Sequence, residues 1–186
     1  VSALLKYSKL NQGAFMSEIL ILYYSRNGSV EHLANMIARG VAEAGSVARL
    51  RTVPAVSPNH VATEAAVPDS GAPFVTKQDL AECSGLIMGS PTRFGNMAAP
   101  MKYFWDNTGA EWASGTLVGK AAGVFTSSAS MHGGQESTLL SMMLPLLHHG
   151  CLLVGVPFTE SALSNTQTGG TPYGASHVSG TDGKKA

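Results

Sequence analysis

The chain has 186 residues, 12 basic and 12 acidic, and only 13% of them are charged. That length suffices for one domain with a sizeable core, while a pI near 7.2 argues against a basic nucleic-acid surface and a strongly acidic docking face. So little charge on a chain of this size points to surface buried between subunits. No apolar run approaches the roughly 18 residues of a membrane span. Cys83 and Cys151 are far apart and form no C-x-x-C pair, which reads as buried thiols in a reducing compartment.

Residues 1–15 contain no signal-peptide core, and Met16 directly precedes the first apolar run. They read as an extension outside the fold, with 16–186 as a single domain. Glu18-Ile19-Leu20-Ile21-Leu22-Tyr23-Tyr24 is continuous and β-prone, as expected of a central parallel strand buried on both faces. Ser25-Arg26-Asn27-Gly28-Ser29 follows as a polar turn. A helix is predicted from Val30 to Ala44, with Leu33, Ile37 and Val41 on one face and Gly45 just past its end. Strand, short polar loop and helix N-terminus in that order can wrap a phosphate with N–H and O–H groups. Equally, Ser25 and Ser29 can simply cap the helix. The G-x-G-x-x-G dinucleotide fingerprint is absent.

Val47–Val53 reads as a half-exposed edge strand. The segment from Pro54 to Pro73 holds four prolines and has no clean periodicity, and His60 within it reads as solvated. Thr76 is the expected N-cap of a short helical turn through Leu80. Gly85–Met88 reads as the third strand, and Gly89–Met97 as the loop at its carboxyl end, where open α/β sheets bind ligands. A plain turn needs that loop's Gly and Pro but not Arg93 and Phe94 beside them. The next helix starts around Pro100. Trp112 then falls in a Gly/Ser-rich loop, 108–115, where it either plugs the domain's own surface or offers an aromatic wall to a flat ligand.

Ala121–Thr126 reads as the fourth strand, followed by a small-residue loop, 127–134. A helix begins at Gln135, carries Leu139, Leu140, Met143, Leu144 and Leu147, and should kink at Pro145. His148 and His149 sit where imidazoles favour a helix C-terminus, and adjacent helical residues point apart, so a shared metal is not expected. Cys151–Val156 reads as the fifth strand and Ser164–Gly180 as a long loop. Five strands alternating with helices imply a parallel, doubly wound α/β sheet. Loops 25–29, 90–96 and 127–134 converge only if strands one, three and four are neighbours, as in the flavodoxin-like order 2-1-3-4-5.

Ser90-Pro91-Thr92-Arg93-Phe94-Gly95-Asn96-Met97, Trp112-Ala113-Ser114-Gly115, Gly133-Gly134-Gln135-Glu136, His148-His149-Gly150 and Gly170-Thr171-Pro172-Tyr173-Gly174-Ala175 occur in the order of one family. Over Ile19–Gly183 the chain resembles the WrbA-type NAD(P)H:quinone oxidoreductases. The resemblance implies a flavodoxin-like three-layer sandwich, bound FMN, NAD(P)H as electron donor, a small-molecule quinone as acceptor, a cytoplasmic location and a homotetramer or dimer of dimers. It assigns the phosphate to Ser25, Arg26, Asn27, Gly28, Ser29 and Val30. It assigns the isoalloxazine ring to Thr92, Arg93 and Phe94, with Pro91 and Gly95 also binding the cofactor and Arg93 as a nearby positive charge. The ribityl chain and ring edge fall to Ser127, Ser128, Ala129, Ser130, Met131, His132 and Gly133. His148 would reach a neighbouring subunit's flavin, Asn27 and Trp112 would meet substrates, and no metal is implied.

The chain departs from the family in three places. Asn27 stands where the family often has an aromatic that touches the nicotinamide dinucleotide. The 127–134 loop is one residue longer than in some relatives. The sequence also ends where one more helix would follow, an ending expected to leave Ile19 or Ile21 partly uncovered. The alternative function is a flavodoxin-type FMN electron carrier without quinone turnover. A phosphoryl-accepting receiver domain needs acidic residues where this chain has Tyr23-Tyr24-Ser25 and Met88-Gly89-Ser90.

Overall fold

The computed structural model describes residues 17–56, 68 and 70–180. The expected extension at 1–15, most of segment 54–73 with His60, and residues 181–186 lie outside them. Along the described chain run β1 (Glu18–Tyr23), α1 (Ser29–Glu43), β2 (Val47–Thr52), α2 (Lys77–Glu82), β3 (Gly85–Arg93), β4 (Asn96–Met97), α3 (Ala99–Asp106), α4 (Gly109–Ala113), β5 (Ala121–Ser128), α5 (Gln135–His148), β6 (Leu152–Leu153), α6 (Ser161–Asn165) and β7 (Ala175–Val178). The sheet order is β2-β1-β3-β5-β6, with β4 folded back antiparallel on β3 and β7 added parallel to β5. With the two-residue β4 set aside, this is the expected 2-1-3-4-5 path.

The alternation of β1 builds two cores. Leu20 and Leu22 pack on one face with Leu86, Met88, Met101, Leu139 and Met142. Ile19, Ile21 and Tyr23 pack on the other with Val30, Ala34 and Val41 of α1. Ile19 and Ile21 are 8% and 0% exposed, so the expectation that they lose their cover does not hold.

Four further elements differ from expectation. β3 does not stop at Met88 but runs on to Arg93, where Phe94 (φ 51) and Gly95 (φ 78) form a two-residue turn into β4. Both φ values are positive, the geometry that matches the twist of paired strands. Trp112 lies on the short helix α4, not in a loop. The fifth strand is only Leu152–Leu153, and its place along the upper half of β5 is taken by β7, inside the segment expected to be a loop. Gly155 makes this exchange possible, since a Cβ there would stand 2.4 Å from the Pro172 carbonyl oxygen of the returning chain.

At the edge, Arg49 and Arg51 of β2 both reach Asp79 of α2 at 3.0 Å, and Thr76 caps α2 in a reciprocal capping box with Asp79. Burial would push the Asp79 carboxyl up, but the Thr76 N–H and hydroxyl and the two guanidinium groups outweigh it and hold the pKa below its ordinary value. Asp79→Asn is expected to cost about 1–3 kcal/mol in urea denaturation at neutral pH. Because the folded-state pKa is depressed, the wild-type advantage is complete above about pH 4 and fades as pH falls through the folded value. A penalty that stays the same into acid would refute the role of the ionised carboxylate.

Candidate functional site

Three loops meet at the carboxyl ends of β1, β3 and β5 around a cleft of about 680 Å³. The loop after β1 and the start of α1 supply Ser25, Arg26, Asn27, Ser29 and Val30, the end of β3 supplies Pro91, Thr92 and Arg93, and the end of β5 with the loop after it supplies Ser127–Ser130 and Gly133. No carboxylate is among the described residues that line it.

In the first loop neither serine caps the helix. The N-cap of α1 is Gly28, at φ 88 and ψ −24, and among the described residues no side chain caps the N–H groups of the first turn. Ser25 Oγ instead accepts the Gly28 N–H at 3.1 Å, leaving its own proton free to donate elsewhere. The first N–H groups of a helix have no intrahelical partner, and here they open beside the cleft with a positive dipole end.

The second and third loops brace each other. Thr92 Oγ1 lies 2.7 Å from Thr138 Oγ1, tying the β3–β4 hairpin to α5. A Cβ on Gly134 would stand 3.0 Å from the Gly95 Cα, so the two backbones touch. The Ser130 carbonyl accepts from Ser128 Oγ at 2.8 Å, Gln135 Nε2 at 2.7 Å and the Gly133 N–H at 3.1 Å, which fixes the third loop. The Arg93 guanidinium donates to its neighbour's carbonyl, Thr92 O, at 2.7 Å and stays at the rim.

Some expected residues do not line the cleft. Gly28 belongs to the first loop, but only open space surrounds its Cβ position. Phe94 is fully exposed at the hairpin tip, Gly95 packs toward Ser137, and Met131 and His132 point outward. Trp112 and His148 line a separate hollow of about 310 Å³ together with Trp105, Thr108, Pro145 and His149. In that hollow the Thr108 hydroxyl donates to the Trp105 carbonyl at 2.7 Å, so it accepts from His149 Nε2–H at 2.9 Å. Burial pushes the His149 pKa down, with Lys77 and His148 adding to the effect and Glu111 opposing it.

The sequence reading missed Ser179 and Gly180, which also line the cleft. Ser179 reaches it because β7 adds to β5 and its N–H donates to the Ser128 carbonyl at 2.8 Å. Nothing local marks that pairing. Among the described residues no group of three His, Cys, Asp or Glu side chains could hold a metal, and no helix is long and apolar enough to cross a membrane.

The family model described as NADPH-dependent FMN reductase matches residues 18–159. The NAD(P)H dehydrogenase (quinone) of Chromohalobacter salexigens is 47% identical over 175 residues, covering 91% of this chain and 87% of that protein. The protein of the same name from Rhizobium rhizogenes is 44% identical over 173 residues, with 91% and 87% covered. A flavodoxin, WrbA-like protein from Agrobacterium tumefaciens shares the fold with a TM-score of 0.58 at 24% identity, over 80% of this chain and 79% of that one. On this match of sequence and fold, the chain belongs to the NADPH-dependent FMN reductase family.

Proposed function

We propose that this chain is an FMN-dependent NAD(P)H:quinone oxidoreductase. The observation that carries the reading is the cleft itself, where an uncapped helix N-terminus, a serine-rich loop and the Arg93 hairpin face one another with no carboxylate among the described lining residues. Its volume and donor set suit FMN. When bound there, FMN would supply two-electron hydride transfer between NAD(P)H and a quinone. Ser25–Val30 would hold the phosphate by N–H and O–H donation, Thr92 and Arg93 would set the ring, and Ser127–Ser130 with Gly133 would border the ribityl chain. Arg93 favours negative charge at the rim, and Asn27 meets the nucleotide.

The active form is a homotetramer. Leu140, Leu144 and Leu147 lie 45%, 59% and 52% exposed along the outer face of α5, while Leu139, Met142 and Leu146 fill the core. A helix apolar on all sides is one that expects cover on all sides. Trp112 and His148 share no lining with the cleft of their own chain, so in this reading they serve a neighbour's flavin. The two buried, unpaired thiols fit a reducing compartment such as the cytoplasm.

With FMN bound, NAD(P)H oxidation is expected only when benzoquinone is present, with parallel double-reciprocal lines. Intersecting lines would contradict a shared face for the two substrates. Stoichiometric reduction without turnover would favour a flavodoxin-type carrier. Trp112→Ala is expected to leave FMN affinity unchanged and weaken quinone use roughly two- to tenfold, the worth of about 0.5–1.5 kcal/mol of aromatic contact. Leu144→Lys, by splitting the assembly, should reproduce that defect.

A further inference from the structure

Glu31 is the only acidic side chain in the first turn of α1. A carboxylate at that position is drawn to the bare N–H groups of its own helix, either by the dipole or by folding back as a capping-box acceptor. Those N–H groups are the donors that an incoming phosphate needs. Left free, Glu31 would compete with the cofactor for its own binding turn and repel it.

The structure turns Glu31 away. Tyr23, at the end of β1 and only 3% exposed, donates its hydroxyl to Glu31 Oε1 at 3.3 Å. The chain at Gly71 lies over the pair, where an added Cβ would stand 3.1 Å from Glu31 Oε1 and 3.9 Å from the Tyr23 hydroxyl. Burial and the adjacent carboxylate push the Tyr23 hydroxyl up to about 12, so it remains a donor across the working pH range. The backbone N–H that a capping-box glutamate would take, that of Gly28, is already given to Ser25 Oγ.

We propose that Tyr23 is a positioning residue for cofactor binding: it tethers Glu31 clear of the turn at 25–30, so that the FMN phosphate meets donors and no competing carboxylate. This rests on the assignment of the phosphate to that turn. The class of ligand affected is the phosphorylated flavin, as distinct from the flavin ring.

The test compares FMN with riboflavin, which lacks the phosphate, by fluorescence titration of the full chain at low and high salt. Tyr23→Phe is expected to weaken FMN about tenfold, the size of effect when one carboxylate moves to within about 6 Å of a phosphate at a partly solvated surface, and to do so less at high salt. Riboflavin affinity should stay within about twofold. Glu31→Gln should bind FMN at least as tightly as wild type, and the Tyr23→Phe, Glu31→Gln double variant should regain wild-type affinity. Equal losses for both flavins, a salt-independent loss or a double variant that stays weak would each overturn the tether. Gly28→Val separates the two claims. If it leaves the preference for FMN over riboflavin intact, the phosphate lies elsewhere and the tether fails with that assignment. If it removes the preference while Tyr23→Phe does not, the tether alone fails.

Discussion

Gly28→Val is expected to weaken FMN binding by at least about a hundredfold, close to 3 kcal/mol at 1.4 kcal/mol per tenfold change. Gly28 sits at φ 88, in the left-handed region that costs an ordinary residue about 1–2 kcal/mol and a β-branched one more, so valine is expected to pull the N-cap out of that conformation and turn the first N–H groups of α1 away from the phosphate. Its Cβ position meets nothing within 4 Å, so the loss comes from the backbone and not from a clash. Thermal melting with and without FMN provides the check. Ligand at about 100 times its dissociation constant should stabilise the wild-type protein by roughly 2.7 kcal/mol, and that shift should vanish in the variant. A variant that keeps the full shift would show that the first turn of α1 does not hold the cofactor.

The second large effect is on folding. Gly89→Ala is expected to lower stability by about 3 kcal/mol, the upper end for overpacking a core. Gly89 on β3 pairs with Phe125 on β5, and its Cβ would stand 2.1 Å from the Phe125 ring. That ring is 0% exposed, and β3 is held between β1 and β5, so neither partner has room to retreat. The urea midpoint should fall, and Phe125→Leu in the same chain should recover part of the loss. A Gly89→Ala protein as stable as wild type would mean that the ring moves aside freely, contrary to this packing.

What the sequence disclosed depended on whether the cause was local. The Ile19–Tyr23 run, the four-residue spacing of α1 and the Thr76 cap with Asp79 three residues on are each complete within a few residues, and each is present. The end of β3 was misplaced because Pro91 and Gly95 look like loop residues. What extends the strand is distant: Thr126 Oγ1 donates to the Ser90 carbonyl at 2.7 Å, and Ser90 Oγ accepts the Ala98 N–H at 2.8 Å. β7 was hidden for the same reason, since Ala175-Ser176-His177-Val178 becomes a strand only through its register with Phe125–Ser128. The three cleft loops were legible from their own turn chemistry. Ser179 and Gly180 were not, because the sheet delivers them from the far end of the chain.

The division of the sheet's last position between β6 and β7 makes that edge two independent pieces of different kinds. β6 holds to Ala121 and Ala122 at the bottom of β5, far along the strand from the cleft. β7 holds to the top of β5 and carries one wall of the cleft directly after its last residue. Between them the chain leaves the sheet at Val154 and returns at Ala175. Local opening can therefore strip β7 from β5 while β6 and the rest of the sheet stay paired, since stability within a domain comes in cooperative units of unequal size. Such an opening widens the cleft from one side while the rest of the sheet stays folded, so the wall at Ser179 and Gly180 rests on a ladder of only four residues.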